Sequence, residues 1–597
     1  MKKTIYIFML LLMVATSCED VLDKQPLDII SDSDVWNDEV LIKAYLTQAY
    51  AEMYIFTNEV PAGGTGWNNF WSSESWVLWG FVNDVSDECK FGYNAGGYQF
   101  KAGNLNIGGG LLEWWEYSYK VIRNLNVFLQ KAPNSPIDDD LKANLMAQAR
   151  FLRAYSYFSM VKRYGGVPLI TVPQEATDPE EELYPVRDKE QVIYDFVLSE
   201  MDEIADDLPE ENTSADYGTP TKYAALALKS RAALYAASIA KFGTVKLDGV
   251  VGIPSSLADD YYQKSYDAAK KIMTESNYSL YNKYPDNKTM NFREMFIDKN
   301  NPEAIFVKQH NDQNEVSGGN GWSYDFFQGP YPNGWGEGNQ NAPYLEMIDE
   351  FEKVDGSSGK LDRDAIQQGL WSMDDLWADK EPRFFATFYT NETPWKGKLL
   401  DYHNGIIDAD GNLITDGSYN GILAKGNQNF TRGTGFGVLK YLDESVNVSG
   451  NWAISPTNWI LFRYGEVLLN YAEAAFNLNK PTEALDAVNL IRERAGVALL
   501  TSIDREKIRH ERKVELAFEG HRYWDLRRWR IADTYLSRSF SGLKFILDYN
   551  TKKYKIEVID DIDGTNTAPK FYEKNYYLPI TINRTGQNPN LVENPGY

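Results

Sequence analysis

Residues 463–496 read RYGEVLLNYAEAAFNLNKPTEALDAVNLIRERAG. Leu468, Tyr471, Ala472 and Ala475 recur at helical spacing and form one apolar face. After a turn at Asn479 to Pro481, Ala484, Val488 and Ile491 form another. The stretch therefore predicts two helices joined by a short turn and packed as a pair.

A pair of this kind is tetratricopeptide-like: stacked pairs bury a continuous core and leave a long surface for partners. Working outward, the same period returns in 141–163, where Leu145, Ala149, Leu152, Tyr155 and Met160 share a face before YGGVP stops the helix. It returns again over 188–207 and 221–242. In TPTKYAALALKSRAALYAASIAKF (219–242) the alanines are dense enough to let a neighbouring helix approach closely. From 243 to about 458 the chain turns to Gly, Asn, Asp and aromatic residues, which predicts loops and short hairpins, and helices return from 459. IIDADGNLIT (406–415) reads as a hairpin about Asp410-Gly411. A calcium loop is disfavoured because glycine stands fourth from Asp408 instead of sixth.

The fold class that follows is mainly α, a tetratricopeptide-like helical-pair scaffold with a loop-rich, short-hairpin ligand-binding region. The organisation expected is a leader over 1–17, an N-terminal helical region over 18–242 and a C-terminal region over 243–597. The last divides into a loop-rich part (243–458), a helical part (459–530) and a tail to 597.

Lys2 and Lys3 precede an apolar run from Ile5 to Ala15, and Thr16, Ser17 and Cys18 follow. Such a segment is a secretory leader, too short for the roughly 20 residues that span a bilayer. Small residues ending at a cysteine resemble a lipobox, which makes Cys18 the expected lipidated N-terminus. Acyl chains contribute about 0.8 kcal/mol per buried methylene, enough in number to hold a protein on a membrane. The other cysteine, Cys89, then has no disulfide partner and reads as a small buried side chain. The formal net charge of -25 disfavours nucleic acid, whose binding needs Lys and Arg on phosphates.

REKIRHERKVELAFEGHRYWDLRRWR (505–530) carries nine Lys or Arg and five Asp or Glu. This interleaving points to a structural role, with Glu519 to Arg522 and Arg522 to Asp525 expected as helical pairs. HERKV starts like a zinc-protease helix but has Val514 where the second histidine belongs, so no metal site is read there. No serine elbow, phosphate loop or dinucleotide fingerprint occurs, and no cofactor is indicated. The reading is not an enzyme.

Aromatics make up 14% of the chain, and WNNFWSSESWVLW (67–79) concentrates four tryptophans among Ser and Asn at spacings that suit neither a helical stripe nor a strand. Trp67, Trp71, Trp76 and Trp79, with Phe91, Tyr93 and Tyr98 just after, form one cluster. Trp322, Tyr324, Tyr331 and Trp335 form a second. Indole and phenol rings lie flat on the C-H face of a pyranose while Asn, Asp and Gln bond its hydroxyls. As ligand contacts we single out Trp67, Trp71, Trp76, Trp79, Tyr93, Trp322, Tyr324 and Trp335.

Several stretches together resemble the SusD/RagB family of Bacteroidetes surface lipoproteins. They are SCEDVLDKQP (17–26), ARFLRAYSYFSMVKRYGGVPLI (149–170), GTPTKYAALALKSRAALYAA (218–237), NPEAIFVKQ (301–309), RYGEVLLNYAEA, IRERAG, RHERKVELAFEGHRYWDLRRW (509–529) and YYLPITINRTGQNPNLVENPGY (576–597). The resemblance implies a helical scaffold carrying a loop-borne ligand site, seated as a lid on a SusC-like TonB-dependent outer-membrane transporter. It also implies a lipid anchor in the outer membrane facing the cell surface, a position that the acidic residues after Cys18 suit. The expected ligand is an oligosaccharide or polysaccharide passed to that transporter. Peptide binding, as implied for other members, is the alternative.

Overall fold

Ten helices carry the scaffold: Glu39–Glu52 (α1), Trp115–Lys131 (α2), Asp139–Tyr164 (α3), Glu190–Ile204 (α4), Lys222–Phe242 (α5), Ala258–Glu275 (α6), Tyr464–Asn477 (α7), Pro481–Ala495 (α8), Arg505–Glu515 (α9) and Arg522–Arg528 (α10). The computed structural model describes residues 32–56, 82–91, 101, 103, 112–311, 324–330, 338–426, 433–448, 454–564 and 568–597. Strands used below are Cys89–Phe91 (β1), Ala304–Lys308 (β2), Asn341–Pro343 (β3), His403–Ile407 (β4), Leu413–Ile414 (β5), Trp459–Arg463 (β6), Gly542–Asp548 (β7) and Tyr554–Ile559 (β8).

Local chemistry explains where the helices begin and end. The Asp138 side chain accepts from the backbone N–H groups of Asp140 and Leu141 at the start of α3, and Lys162 and Arg163 lie in its last turn. Both satisfy the helix termini and oppose the dipole. Gly165, at φ 76°, then turns the chain in a conformation that favours glycine. Thr221 caps α5 through Ala224 N–H, and Pro481 opens α8, which Gly496 closes in the left-handed region.

The alanine-rich α5 is buried along nearly its whole length, and its small side chains let α6 come close. Ser265 Oγ donates to the Ser230 carbonyl at 2.8 Å, a side-chain-to-backbone bond that larger residues at the crossing would prevent. α6, α7 and α8 are joined by Tyr266 and Tyr471, which stack at 4.7 Å and both bond Glu483; the Tyr266 hydroxyl reaches it at 2.6 Å. The main core runs through these helices. A second core gathers Leu345, Phe351, Phe384, Phe388, Phe436 and Phe545 beneath the sheet β8-β7-β4-β5, in which β7 and β4 run parallel.

Three sequence expectations meet the structure here. The hairpin is present: Ile407 pairs with Leu413, Gly411 has φ 86°, and Asp408 Oδ1 accepts from the Asp410 and Asn412 N–H groups. The 243–458 stretch is not loops throughout, because α6 is an 18-residue helix whose buried face, Tyr261, Tyr262, Ser265, Tyr266, Ala268, Ala269 and Ile272, is too weakly apolar to announce itself. Residues 459–463, read as the return of helix, form β6, paired antiparallel with β2 and buried at every position. Among the described residues no helix is long and apolar enough to cross a membrane.

The helical pairs expected within 505–530 are corrected. Gly520, at φ 80°, separates α9 from α10, so Glu519 and Arg522 do not share a helix face. Glu519 instead bonds Arg463 and Lys440, Arg522 bonds Asp87, and Asp525 bonds Arg512 and Arg528. The structural reading of the segment stands: its charges are largely buried and spent inside the molecule.

Candidate functional site

Each aromatic-rich stretch of the sequence is tethered to described residues, and these tethers converge. In the β1/β3 ladder Phe91 lies opposite Asn341 and Cys89 opposite Pro343. The chain therefore leaves for 92–100 and returns from 331–337 at the same end of one antiparallel pair. The Asn341 N–H donates to Gln328 Oε1 at 2.9 Å, the Gln340 N–H to the Phe327 carbonyl at 3.0 Å, and the Tyr389 hydroxyl to the Gln328 carbonyl at 2.8 Å. These bonds fasten the short helix Tyr324–Gln328 to β3. The Asn341 amide also bonds Asp84, just ahead of β1.

Asp325 ties in two further stretches. Its backbone N–H donates to Ser455 Oγ, and its Oδ1 accepts from the Asp443 N–H, both at 2.8 Å. One buried residue thus joins the end of 312–323 to chain on both sides of 449–453. The start of 312–323 is held by the His310 N–H, which donates to Asn458 Oδ1 at 3.1 Å. Phe56 and Val82, the two ends of the tryptophan-rich 57–81, line one cavity with Trp459, Tyr155 and Trp524.

Buried side-chain polar atoms are nearly always hydrogen-bonded, yet among the described residues Asn83 Oδ1, Asp325 Oδ2, Gln328 Nε2 and Asn339 Oδ1 have no partner. Three of these residues, Asp325, Gln328 and Asn339, lie on or beside the segment fastened to β3. The electrostatics of this framework are equally incomplete. Burial pushes the Asp325 carboxyl up to about 7, against the lowering influence of the Asp443 N–H and Ser455. Burial likewise pushes Glu88 up to about 7, although its Oε1 accepts from the Phe518 N–H at 2.8 Å. Among the described residues neither has an ion-pair partner. Chemically the framework offers donors, acceptors and carboxyls beside the roots of ring-rich chain, which is the equipment of a binding platform.

Trp67, Trp71, Trp76, Trp79, Tyr93, Trp322 and Trp335 lie outside the described residues, as do Tyr98, Tyr331, the Phe91 side chain and Cys18. Tyr324 is described, and it is only 3% exposed. Its ring packs edge-on to Tyr441 at 5.8 Å and its hydroxyl donates to the Lys440 carbonyl at 3.0 Å. A ring enclosed in this way has no free face for a sugar, which corrects its place among the expected contacts. The sequence reading missed Asp84, Asp325, Gln328, Asn339 and Asn341. The last four were legible only as polar residues interspersed with rings in SYDFFQGPYPNGWGEGNQNAP (323–343), and Asp84 only as one of the acidic residues of FVNDVSDECK (81–90); which of them turn inward is set by the β1/β3 ladder. Cys89 is fully buried, as expected for a small packed side chain.

With this geometry in view, comparison with known proteins is informative. The sequence model of the SusD family matches residues 302–597, and one described as starch-binding associating with outer membrane matches 20–234. SusD-like protein P38 of Formosa agariphila is 26% identical over 560 residues, covering 88% of this chain and 90% of that protein. A crystal structure of a SusD-like protein from Bacteroides fragilis superposes with a TM-score of 0.70 at 26% identity, over 96% of this chain and all of the other. A SusD-like carbohydrate binding protein from the same species gives a TM-score of 0.68 at 24% identity, over 94% of this chain and all of the other.

Proposed function

The chain belongs to the SusD family, and on that premise we propose that it is a non-catalytic, lipid-anchored outer-membrane protein that captures oligosaccharides and delivers them to a SusC-like TonB-dependent transporter. The observation that carries this reading is that described residues flanking the aromatic-rich stretches meet in one buried polar framework, several of whose hydrogen-bonding atoms have no partner among the described residues. Trp67, Trp71, Trp76, Trp79, Tyr93, Trp322 and Trp335 supply the stacking faces, and amides and carboxylates beside them bond sugar hydroxyls. Support also comes from the match of 20–234 to a model described as starch-binding and outer-membrane-associated, and from the likeness in fold to a carbohydrate binding protein. The apolar run ending at Thr16-Ser17-Cys18 supports removal of residues 1–17 and lipidation of Cys18.

The test is retention of the full-length mature protein in native gels containing starch, laminarin or other neutral polysaccharides, followed by titration of alanine variants at Trp67, Trp71, Trp76, Trp79, Trp322 and Trp335. Each stacked ring contributes about 0.5 to 1.5 kcal/mol by analogy with aromatic pairs, so loss of two weakens binding by roughly tenfold. At least two variants lose affinity while melting like wild type. If every variant binds normally or unfolds early, the platform assignment fails; retention of peptides with no glycan retained replaces the ligand class.

A further inference from the structure

Away from the loop framework, the turn 210–223 between α4 and α5, the turn after α6 at Asn277 and Tyr278, and the 299–307 segment leading into β2 enclose a groove of ≈ 320 Å³. We propose that this groove is a second glycan-contact site, taking the outlying units of a neutral chain whose other end is held at the loop framework. The proposal rests on the carbohydrate-binding reading and adds to it a site on the helical scaffold.

The size falls within the ~300–1,000 Å³ of small-molecule sites, and its lining has the composition that sugars require. Tyr217 and Tyr278 are half-buried, so part of each ring remains in solvent. Both are fixed in place. The buried Tyr223 meets Tyr278 edge to face, with centroids 6.0 Å apart and planes at 85°, and the Tyr217 hydroxyl donates to the Lys299 carbonyl at 3.2 Å. Rings held in this way stack on a ligand without losing freedom on binding.

Around them stand the exposed amides of Asn277 and Asn300 and the carboxylate of Glu211, whose Oε1 accepts from Asn277 Nδ2 at 2.5 Å. The Lys299 ammonium lines the same groove but donates to the His310 carbonyl at 3.0 Å. Amides and carboxylates around flat rings suit hydroxyl-rich, uncharged ligands. They disfavour uronic or sulfated sugars, because the two lining carboxylates, Glu210 and Glu211, outnumber the one lining cation, Lys299.

Two residues that line the groove are hydrogen-bonded to the chain that leads towards the loop framework. Gln309 Nε2 bonds the Tyr217 carbonyl, Lys299 bonds His310, and His310 is bonded in turn to Asn458. Gln309 and His310 stand just before 312–323, the stretch whose far end is followed by Asp325. A ligand long enough to reach from the groove to the framework makes two contacts, which reinforce each other through effective concentration.

The experiment uses size-graded oligosaccharides cut from whichever neutral polysaccharide the native gels retain, titrated into wild type, Tyr217→Ala, Tyr278→Ala and Asn300→Ala, with thermal midpoints recorded. Asn300 is exposed, so its variant tests the groove without risk to the fold. Wild type is expected to gain affinity with chain length. The variants lose roughly two- to tenfold for long chains and keep wild-type affinity for the shortest binding member. The groove is overturned if the length dependence survives all three substitutions, or if properly folded variants lose short and long chains alike. If wild type is retained by no neutral polysaccharide at all, the carbohydrate reading itself falls and the groove with it.

Discussion

Asp87 and Glu88 are consecutive, both are almost completely buried, and they respond to burial in opposite directions. Asp87 receives Arg522 at 2.8 Å and Lys513 at 3.0 Å; against the cost of burial, these two cations hold its carboxyl well below the usual range. Among the described residues Glu88 meets the Phe518 N–H and the Ser86 hydroxyl but no cation at bonding distance, and burial pushes it up to about 7. The two residues mark the border between two kinds of buried polar region. On the Asp87 side lies the charge network of α9, α10, β6 and α7, where Arg463 bonds Glu303, Glu515 and Glu519 at 2.7, 2.7 and 2.6 Å and Arg383 bonds Glu381, Glu511 and Glu515. On the other side lies the loop framework, with the Asp325 and Glu88 carboxyls, which have no ion-pair partner among the described residues. A buried network whose charges are matched holds segments together, whereas one left unmatched retains bonding capacity for something else.

The comparison is broken most directly at Arg463. Removing one partner of a buried network leaves the others uncompensated, at a cost of about 3–5 kcal/mol. Arg463→Met is therefore expected to lower unfolding free energy by that amount in urea titrations, or to yield insoluble protein. Wild-type unfolding would show that the network is dispensable.

The neighbours themselves sharpen it. Asp87→Asn strands Arg522, leaves Lys513 with Glu350 alone, and is expected to cost several kcal/mol at pH 7, in the same ~3–5 kcal/mol class. Glu88→Gln preserves an acceptor for the Phe518 N–H, removes an unmatched carboxyl, and changes stability by less than about 1 kcal/mol. Equal effects from the two substitutions would erase the distinction between the regions.

Asp325 supplies a pH signature. Its folded-state pKa of about 7 lies above the ordinary 3.8, so between these values the folded state keeps a proton that the unfolded state has lost. Stability then falls as pH rises through that window, by up to about 1.4 kcal/mol per pH unit, and this contribution is flat above it. Asp325→Asn retains an oxygen for the Asp443 N–H and abolishes this pH dependence. Denaturation at pH 5 and pH 8 is expected to show wild type losing more stability than the variant; identical pH profiles would count against an unmatched carboxyl at this position.

The smallest effect belongs to a surface pair. Lys43 and Glu39 meet at 2.7 Å on α1, with side chains about half exposed. Water and salt screen such pairs to about 0.3–0.5 kcal/mol. Lys43→Ala is expected to stay within 0.5 kcal/mol of wild type in the same urea titrations, and a larger loss would mean that charge matching at the surface is as consequential as in the interior.

What the sequence determined by itself is the part governed by nearby residues. Helical spacing, the caps at Asp138 and Thr221, the glycine ends at Gly165 and Gly496, and the Asp408 hairpin all depend on contacts within a turn or two, so their residues announce them. The tetratricopeptide-like pair at 463–496 was legible for that reason, and so was the structural character of 505–530. Tertiary structure decided everything that depends on a distant partner. Residues 459–463 are a strand because β2 pairs with them, and Arg522 turns to Asp87 because Gly520 breaks the helix that would have offered Glu519. Tyr324 is enclosed because Tyr441 and Lys440 close over it, although its neighbours in sequence read as exposed loop. Spacing along a chain specifies which side chains share a local face; partner choice, burial and the resulting shifts in carboxyl charge arise only when remote segments exclude water from the same place.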